Sequence, residues 1–167
     1  ITGKIDTYQS MFLKRSSQPL GNGKLVTLTL NRPKRMNALS AELVGELVSA
    51  LNQEATQTEP RVVVIRGAGR CFSAGVDLTA ADKIFDNDAM KKDGTADAVF
   101  PESFDVPLAL RRMKWPTIAA VHGACYTGAL EVALNCDVLV AAKDAVFADT
   151  HAGVGIAPCW GLSQLLS

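Results

Sequence analysis

Three short apolar runs constrain this chain more than any other feature: Val62-Val63-Val64-Ile65, Thr117–Val121 and Val138-Leu139-Val140. Continuous runs of this length, rich in β-branched residues, are how strands buried on both faces look. The first leads to Gly67 and the second to Gly123. Segments with apolar residues at helical spacing lie before and between them. Ser40 is placed to cap one helix, with Glu42 in its first turn and Leu43, Leu47, Val48 and Leu51 along one face. Another starts near Gly128 and carries Leu130, Ala133 and Leu134; Leu108–Met113 is a third, ending before Trp115-Pro116. Strand and helix in alternation predict an α/β fold.

The N-terminal part adds a hairpin. Met11–Ser16 and Leu25–Asn31 read as strands around the turn signal Gly21-Asn22-Gly23, and Val26, Leu28 and Leu30 alternate with threonines. Val146-Phe147 begins a further strand. Ala80–Glu102 mixes charge, Gly94 and small residues before Pro101, and reads as one or two helices with a mobile loop. The chain stops at Ser167 within a helix-like run, Leu162–Leu166. It is read as one domain over 1–167, a truncated catalytic core, and a core cut there is expected to expose apolar surface.

Composition narrows the function. The 17 basic and 17 acidic residues cancel, which gives no support for nucleic-acid or membrane-surface binding. No apolar run is long enough to span a bilayer. Cys71, Cys125, Cys136 and Cys159 form no C-x-x-C, and only His122 and His151 accompany them, so no zinc site is expected and the thiols read as free. Gly67 and Gly69 follow a buried strand, but Phe72 stands where a dinucleotide loop needs its third glycine.

Two stretches carry the chemistry: Cys71–Leu78 (CFSAGVDL) and His122–Glu131 (HGACYTGALE). Each places small residues just after a buried strand, where a ligand can approach the backbone closely. Two backbone amides aimed at one point would form an oxyanion hole. For either stretch alone, ordinary strand-to-helix packing is an equal reading.

Together these stretches resemble the crotonase superfamily of enoyl-CoA hydratases and isomerases. The resemblance runs through Leu30-Asn31-Arg32-Pro33, Asn37-Ala38-Leu39, Phe72–Leu78, Ala119–Gly123, Gly128–Ala133 and Cys136-Asp137, in order, over nearly the whole chain. It implies a crotonase-like ββα spiral core without the family's C-terminal helices. It also implies an acyl-CoA thioester substrate, no cofactor beyond the coenzyme A moiety, and assembly as a trimer or dimer of trimers when full length.

Residue by residue, the resemblance puts the thioester oxygen on the backbone N–H groups of Val76 and Gly128. Coenzyme A lies along Lys34–Ala38 (Lys34, Arg35, Met36 and Ala38) and Ser73–Gly75 (Ser73, Ala74 and Gly75), with Lys34 and Arg35 as phosphate partners. Glu131 matches one of the two hydratase glutamates and would activate water. The second glutamate position falls on His151, in Asp149-Thr150-His151, and Thr127 and Ala129 replace glycines. Histidine can serve as the missing acid, and the Glu131 carboxylate and the His151 imidazole are expected to line one pocket near the oxyanion hole. In an extended segment Asp149 would share His151's side of the chain and orient the ring. His122 is read as structural.

The leading expectation is a lyase that adds water to a 2-enoyl-CoA. The alternatives are a double-bond isomerase on the same scaffold and a non-catalytic acyl-CoA-binding subunit. An intracellular location goes with any of them: mitochondrial, peroxisomal or bacterial cytoplasm.

Overall fold

The computed structural model describes residues 6–79 and 102–167. Most of Ala80–Glu102, read from sequence as helix and loop, lies outside the described residues; Glu102 opens a short 3-10 turn, Glu102–Phe104.

Two antiparallel pairings start the larger sheet. β1 (Asp6–Gln9) pairs with β2 (Leu13–Leu20), and β2 with β3 (Gly23–Leu30) across a two-residue turn at Gly21-Asn22. The hairpin is the expected one, but β2 starts two residues later than predicted and runs on to Leu20; Met11 stays outside, largely exposed. The sheet continues in parallel through β4 (Arg61–Gly67), β5 (Thr117–Val121) and β7 (Val138–Ala141), in the order β1-β2-β3-β4-β5-β7.

Helix α1 (Ala41–Ala55) covers part of this sheet. The Ser40 hydroxyl accepts from Leu43 N–H at 3.4 Å, and Leu43, Val44, Leu47, Val48 and Leu51 are buried along one stripe. Each such side chain contributes about 1.5–3 kcal/mol relative to exposure. At the far end of α1, buried Glu54 accepts from Arg15 at 2.5 Å and from buried Arg61, fastening the helix to β2 and β4. A second helix, α2 (Val106–Arg111), is capped by Asp105, whose carboxylate accepts from Leu108 N–H at 2.8 Å.

The long strands feed a second, smaller layer. After β4 the chain enters the strip Ser73–Val76, and after β5 it enters β6 (Ala124–Tyr126); β7 is followed by β8 (Val146–Ala148). Parallel bridges Leu39↔Val76 and Ser73↔Cys125, and the pairing of β6 with β8, join the strips side by side. Each turn of the chain thus adds one strand to the large sheet and one strip to the small one. The corner at Gly123 (φ 54°) needs glycine: a Cβ there would lie 2.3 Å from the Arg70 carbonyl oxygen.

Two helices complete the described part, α3 (Gly128–Leu134) and α4 (Leu162–Leu165).

Burial departs from the sequence reading at the sheet edge. In β4, Val63 and Ile65 are buried, whereas Val62 and Val64 are half-buried. The third run, read as a buried strand, is exposed: Val138 is 48% and Val140 54% accessible, and Val146 and Phe147 of β8 follow at 52% and 40%. An apolar run shows that a strand suits burial. Burial also requires an element packed against it, and among the described residues none covers these side chains.

Candidate active site

The small layer brings the predicted ligand-binding segments into direct contact. Ala74 N–H donates to Met36 O at 2.9 Å, Leu39 N–H to Gly75 O at 2.8 Å, and Asp77 N–H to Leu39 O at 3.0 Å. The Ser73 hydroxyl donates to Asn37 O at 2.8 Å and accepts from Gly75 N–H at 3.1 Å. Lys34–Ala38 and Ser73–Gly75 therefore form one continuous surface. Met36 and Asn37 both adopt left-handed backbone, with φ near 50°. Buried Asn37 holds that bend: its Oδ1 accepts from Arg32 N–H, and its Nδ2 donates to the carbonyls of Ala68, Cys71 and Phe72. Lys34 and Arg35 stand exposed on the short 3-10 turn beside it. Arg32 spans both segments, pairing with Asp77 at 2.9 Å and donating to Ala38 O at 2.5 Å. The Thr79 hydroxyl first, then Arg32, hold the Asp77 carboxyl below its usual range against the opposing effect of burial.

Val76 and Gly128 face each other across the junction of the two layers. A Cβ on Gly128 would lie 3.4 Å from Val76 Cγ2. Neither amide nitrogen donates a hydrogen bond to another backbone group among the described residues. A small cavity of about 50 Å³ opens here, lined by Ala74, Val76, Thr127 and His151 among others.

Glu131 and His151 are adjacent and buried. Glu131 Oε2 is 3.6 Å from His151 Nε2, and Asp149 Oδ1 is 2.7 Å from His151 Nδ1. The three side chains form a chain from solvent-facing Asp149, through the imidazole, to the interior carboxylate. Glu131 is held from its other side: Oε1 accepts from Trp160 N–H at 2.7 Å and Leu162 N–H at 3.2 Å. Burial pushes the Glu131 carboxyl above its ordinary value. The two amides and His151 act in the opposite sense. At Asp149, the bonds from the His151 backbone and ring hold the carboxyl below its usual range.

Three details differ from the sequence reading. Asp149 reaches His151 through a turn, not along an extended strand: His151 has helical backbone angles and its N–H also bonds Asp149 Oδ1, at 3.0 Å. Glu131 is not among the residues that line the small cavity with His151; its Oε2 stands at His151 Nε2. The amides of Trp160 and Leu162, which fix the Glu131 carboxylate, were not foreseen, because a backbone donor leaves no signature in residue type. His122 bonds Gly69 O at 2.9 Å, away from this cluster.

Known proteins give an independent finding. Residues 21–167 match the family described as enoyl-CoA hydratase/isomerase. An Arabidopsis thaliana protein named "Probable enoyl-CoA hydratase 1, peroxisomal" is 40% identical over 146 residues, 87% of this chain and 51% of that protein. The short-chain-enoyl-CoA hydratase of Clostridium acetobutylicum is 32% identical over 146 residues, 87% and 53% of the two chains. A crystal structure of an enoyl-CoA hydratase/carnithine racemase from Magnetospirillum magneticum superposes with a TM-score of 0.75 at 28% identity, over 92% of this chain and 54% of that one. The chain spans about half the length of the relatives it matches.

Proposed function

The chain belongs to the enoyl-CoA hydratase/isomerase family, and on that premise we propose that it binds an acyl-CoA thioester and adds water to a 2-enoyl-CoA. The observation that carries the reading is the juxtaposition of the Asp149–His151–Glu131 chain with the Val76–Gly128 junction.

In this reading the amides of Val76 and Gly128 take the thioester oxygen, where negative charge develops as the nucleophile adds. Preorganised backbone donors cost no reorganisation at that moment, and loss of one donor typically costs about 10²–10³ in rate. Glu131, anchored through Oε1, keeps Oε2 for the His151 edge, and where the bound substrate and its water reach that edge Oε2 takes the proton of water as the oxygen bonds the β-carbon. His151 supplies the α-proton. The acceptor Asp149 Oδ1 fixes a proton on Nδ1, so Nε2 is the nitrogen that exchanges. The proton gained by Glu131 returns across the 3.6 Å gap to His151, which resets both groups. Water's oxygen and one proton are thereby added to the double bond, and nothing else is consumed.

Lys34 and Arg35 receive the phosphates of coenzyme A. Met36, Ala38, Ser73, Ala74 and Gly75 line the path of its pantetheine arm. No cofactor beyond the coenzyme A moiety enters the proposal. We also propose a homo-oligomer, trimer or dimer of trimers, for the whole subunit, and an intracellular location.

The test is to incubate the enzyme with short and medium 2-enoyl-CoAs and follow the conjugated thioester absorbance. Hydration predicts its loss with a 3-hydroxyacyl product. Turnover of 3-enoyl-CoAs alone would replace the proposal with an isomerase, and saturable binding without turnover would replace it with a binding subunit.

A further inference from the structure

Thr127 occupies a position where a threonine is unfavourable. Its backbone sits at φ 48°, ψ −122°, a region that suits glycine because a Cβ, and a branched one most of all, crowds the adjacent peptide. The backbone is held there from both sides: its N–H donates to Ala148 O at 2.9 Å, and its carbonyl accepts from Glu131 N–H at 3.1 Å. Such strain persists only where the surroundings over-determine it, and it gathers at functional sites.

The side chain does not recover the loss locally. A threonine just ahead of a helix normally caps it through the hydroxyl, but Thr127 makes no side-chain capping bond to α3. Its Oγ1 lies instead against Gly75, 1.8 Å from where a Cβ on that residue would be. The hydroxyl fills the space that glycine leaves, and Thr127 is one of the residues that line the cavity with Val76 and His151. It has no hydrogen-bond partner among the described residues.

We propose that Thr127 is a specificity-determining residue whose hydroxyl hydrogen-bonds the thioester group of the bound acyl-CoA, beside the amides of Val76 and Gly128. This rests on the reading of the site given above. A thioester offers an acceptor oxygen at that point and the free thiol of coenzyme A does not, so the hydroxyl separates acylated from unacylated ligand.

The experiment measures binding of butanoyl-CoA, which has no double bond to hydrate, and of free coenzyme A, to the parent protein and to T127V, T127S and T127G, together with melting temperatures. T127V keeps the branched shape and loses only the hydroxyl. It is expected to bind butanoyl-CoA roughly 3- to 10-fold more weakly, the range of one neutral hydrogen bond, and to bind coenzyme A unchanged. The carbonyl stretching band of bound butanoyl-CoA should move to higher frequency in T127V. T127S should keep the parental affinity ratio. T127G should melt higher than the parent, since the backbone strain is gone, and still show the weakened thioester binding. An unchanged ratio and an unchanged carbonyl band in T127V would overturn the inference while leaving the site intact. A parent protein that does not distinguish butanoyl-CoA from coenzyme A would overturn both.

Discussion

Glu131 combines a supporting role with a proposed chemical one, and two substitutions separate them. Glu131→Ala removes the acceptor for the Trp160 and Leu162 amides, which lie 2.7 and 3.2 Å from Oε1. Each buried donor left without a partner costs about 1–3 kcal/mol, so the pair costs about 2–6 kcal/mol. Glu131→Gln retains an oxygen at that place and should unfold within about 1 kcal/mol of the parent, yet it should lose about 10²–10⁴ in hydration rate. The two variants should also differ from the parent in pH dependence. Burial raises the Glu131 carboxyl, so the folded chain binds its proton more tightly than the unfolded one. The stability from this group is complete below the unfolded value of about 4.3 and is lost as pH rises through the higher folded value. Glu131→Gln removes that slope. Urea unfolding of parent and both variants across this pH range measures the three stability effects, and initial rates of hydration measure the fourth. Equal stability of the Ala and Gln variants near neutral pH, or a parental slope surviving in Glu131→Gln, would refute the assignment of the carboxylate as a buried, amide-anchored group.

Other changes act on neighbouring parts. Gly75→Ala places a Cβ 1.8 Å from Thr127 Oγ1 and 2.6 Å from the Tyr126 carbonyl at φ +90°; a loss of about 2–5 kcal/mol in chemical denaturation is expected. His151→Ala should lower the hydration rate by about 10²–10⁴-fold and shift its pH profile, both read from initial rates over a pH series, whereas a structural histidine would leave the profile in place. Replacing Lys34 and Arg35 together by alanine should weaken coenzyme A binding and flatten its dependence on salt, measured by titration at two ionic strengths.

Much of this architecture was legible in the chain. The stripe Leu43–Leu47–Leu51 carries a helical period behind the Ser40 cap, and the runs ending at Gly67 and near Gly123 are short, rich in β-branched residues and closed by glycine, as strands are. The meeting of Lys34–Ala38 with Ser73–Gly75 was not legible from composition or spacing. It depends on strand order in the small layer, and only the family resemblance anticipated it. The exposure of Val138–Val140 was misread because side-chain type reports what a segment tolerates, and the neighbour that would cover it is a tertiary fact. Asp149, His151 and Glu131 stand next to one another, but the path that joins them was not legible. A turn brings Asp149 onto the ring, and amides 29 and 31 residues downstream of Glu131 fix the carboxylate.

Those downstream amides link the cluster to the order in which the polypeptide can acquire its shape. Glu131 is held by Trp160 and Leu162, Thr127 by Ala148, and Ser73 by Ala124, while Asn37 reaches Ala68, Cys71 and Phe72. Every one of these bonds closes a loop of tens of residues, and contacts of that kind are slow to form because chain entropy is lost before they reward it. The hairpin and α1 can arise early from local contacts. The constellation around Glu131 is complete only after the segment at Trp160 has docked. A partially folded chain therefore has its hairpin and first helix before it has its chemistry, and gain of acyl-CoA binding during refolding should lag the recovery of this local secondary structure.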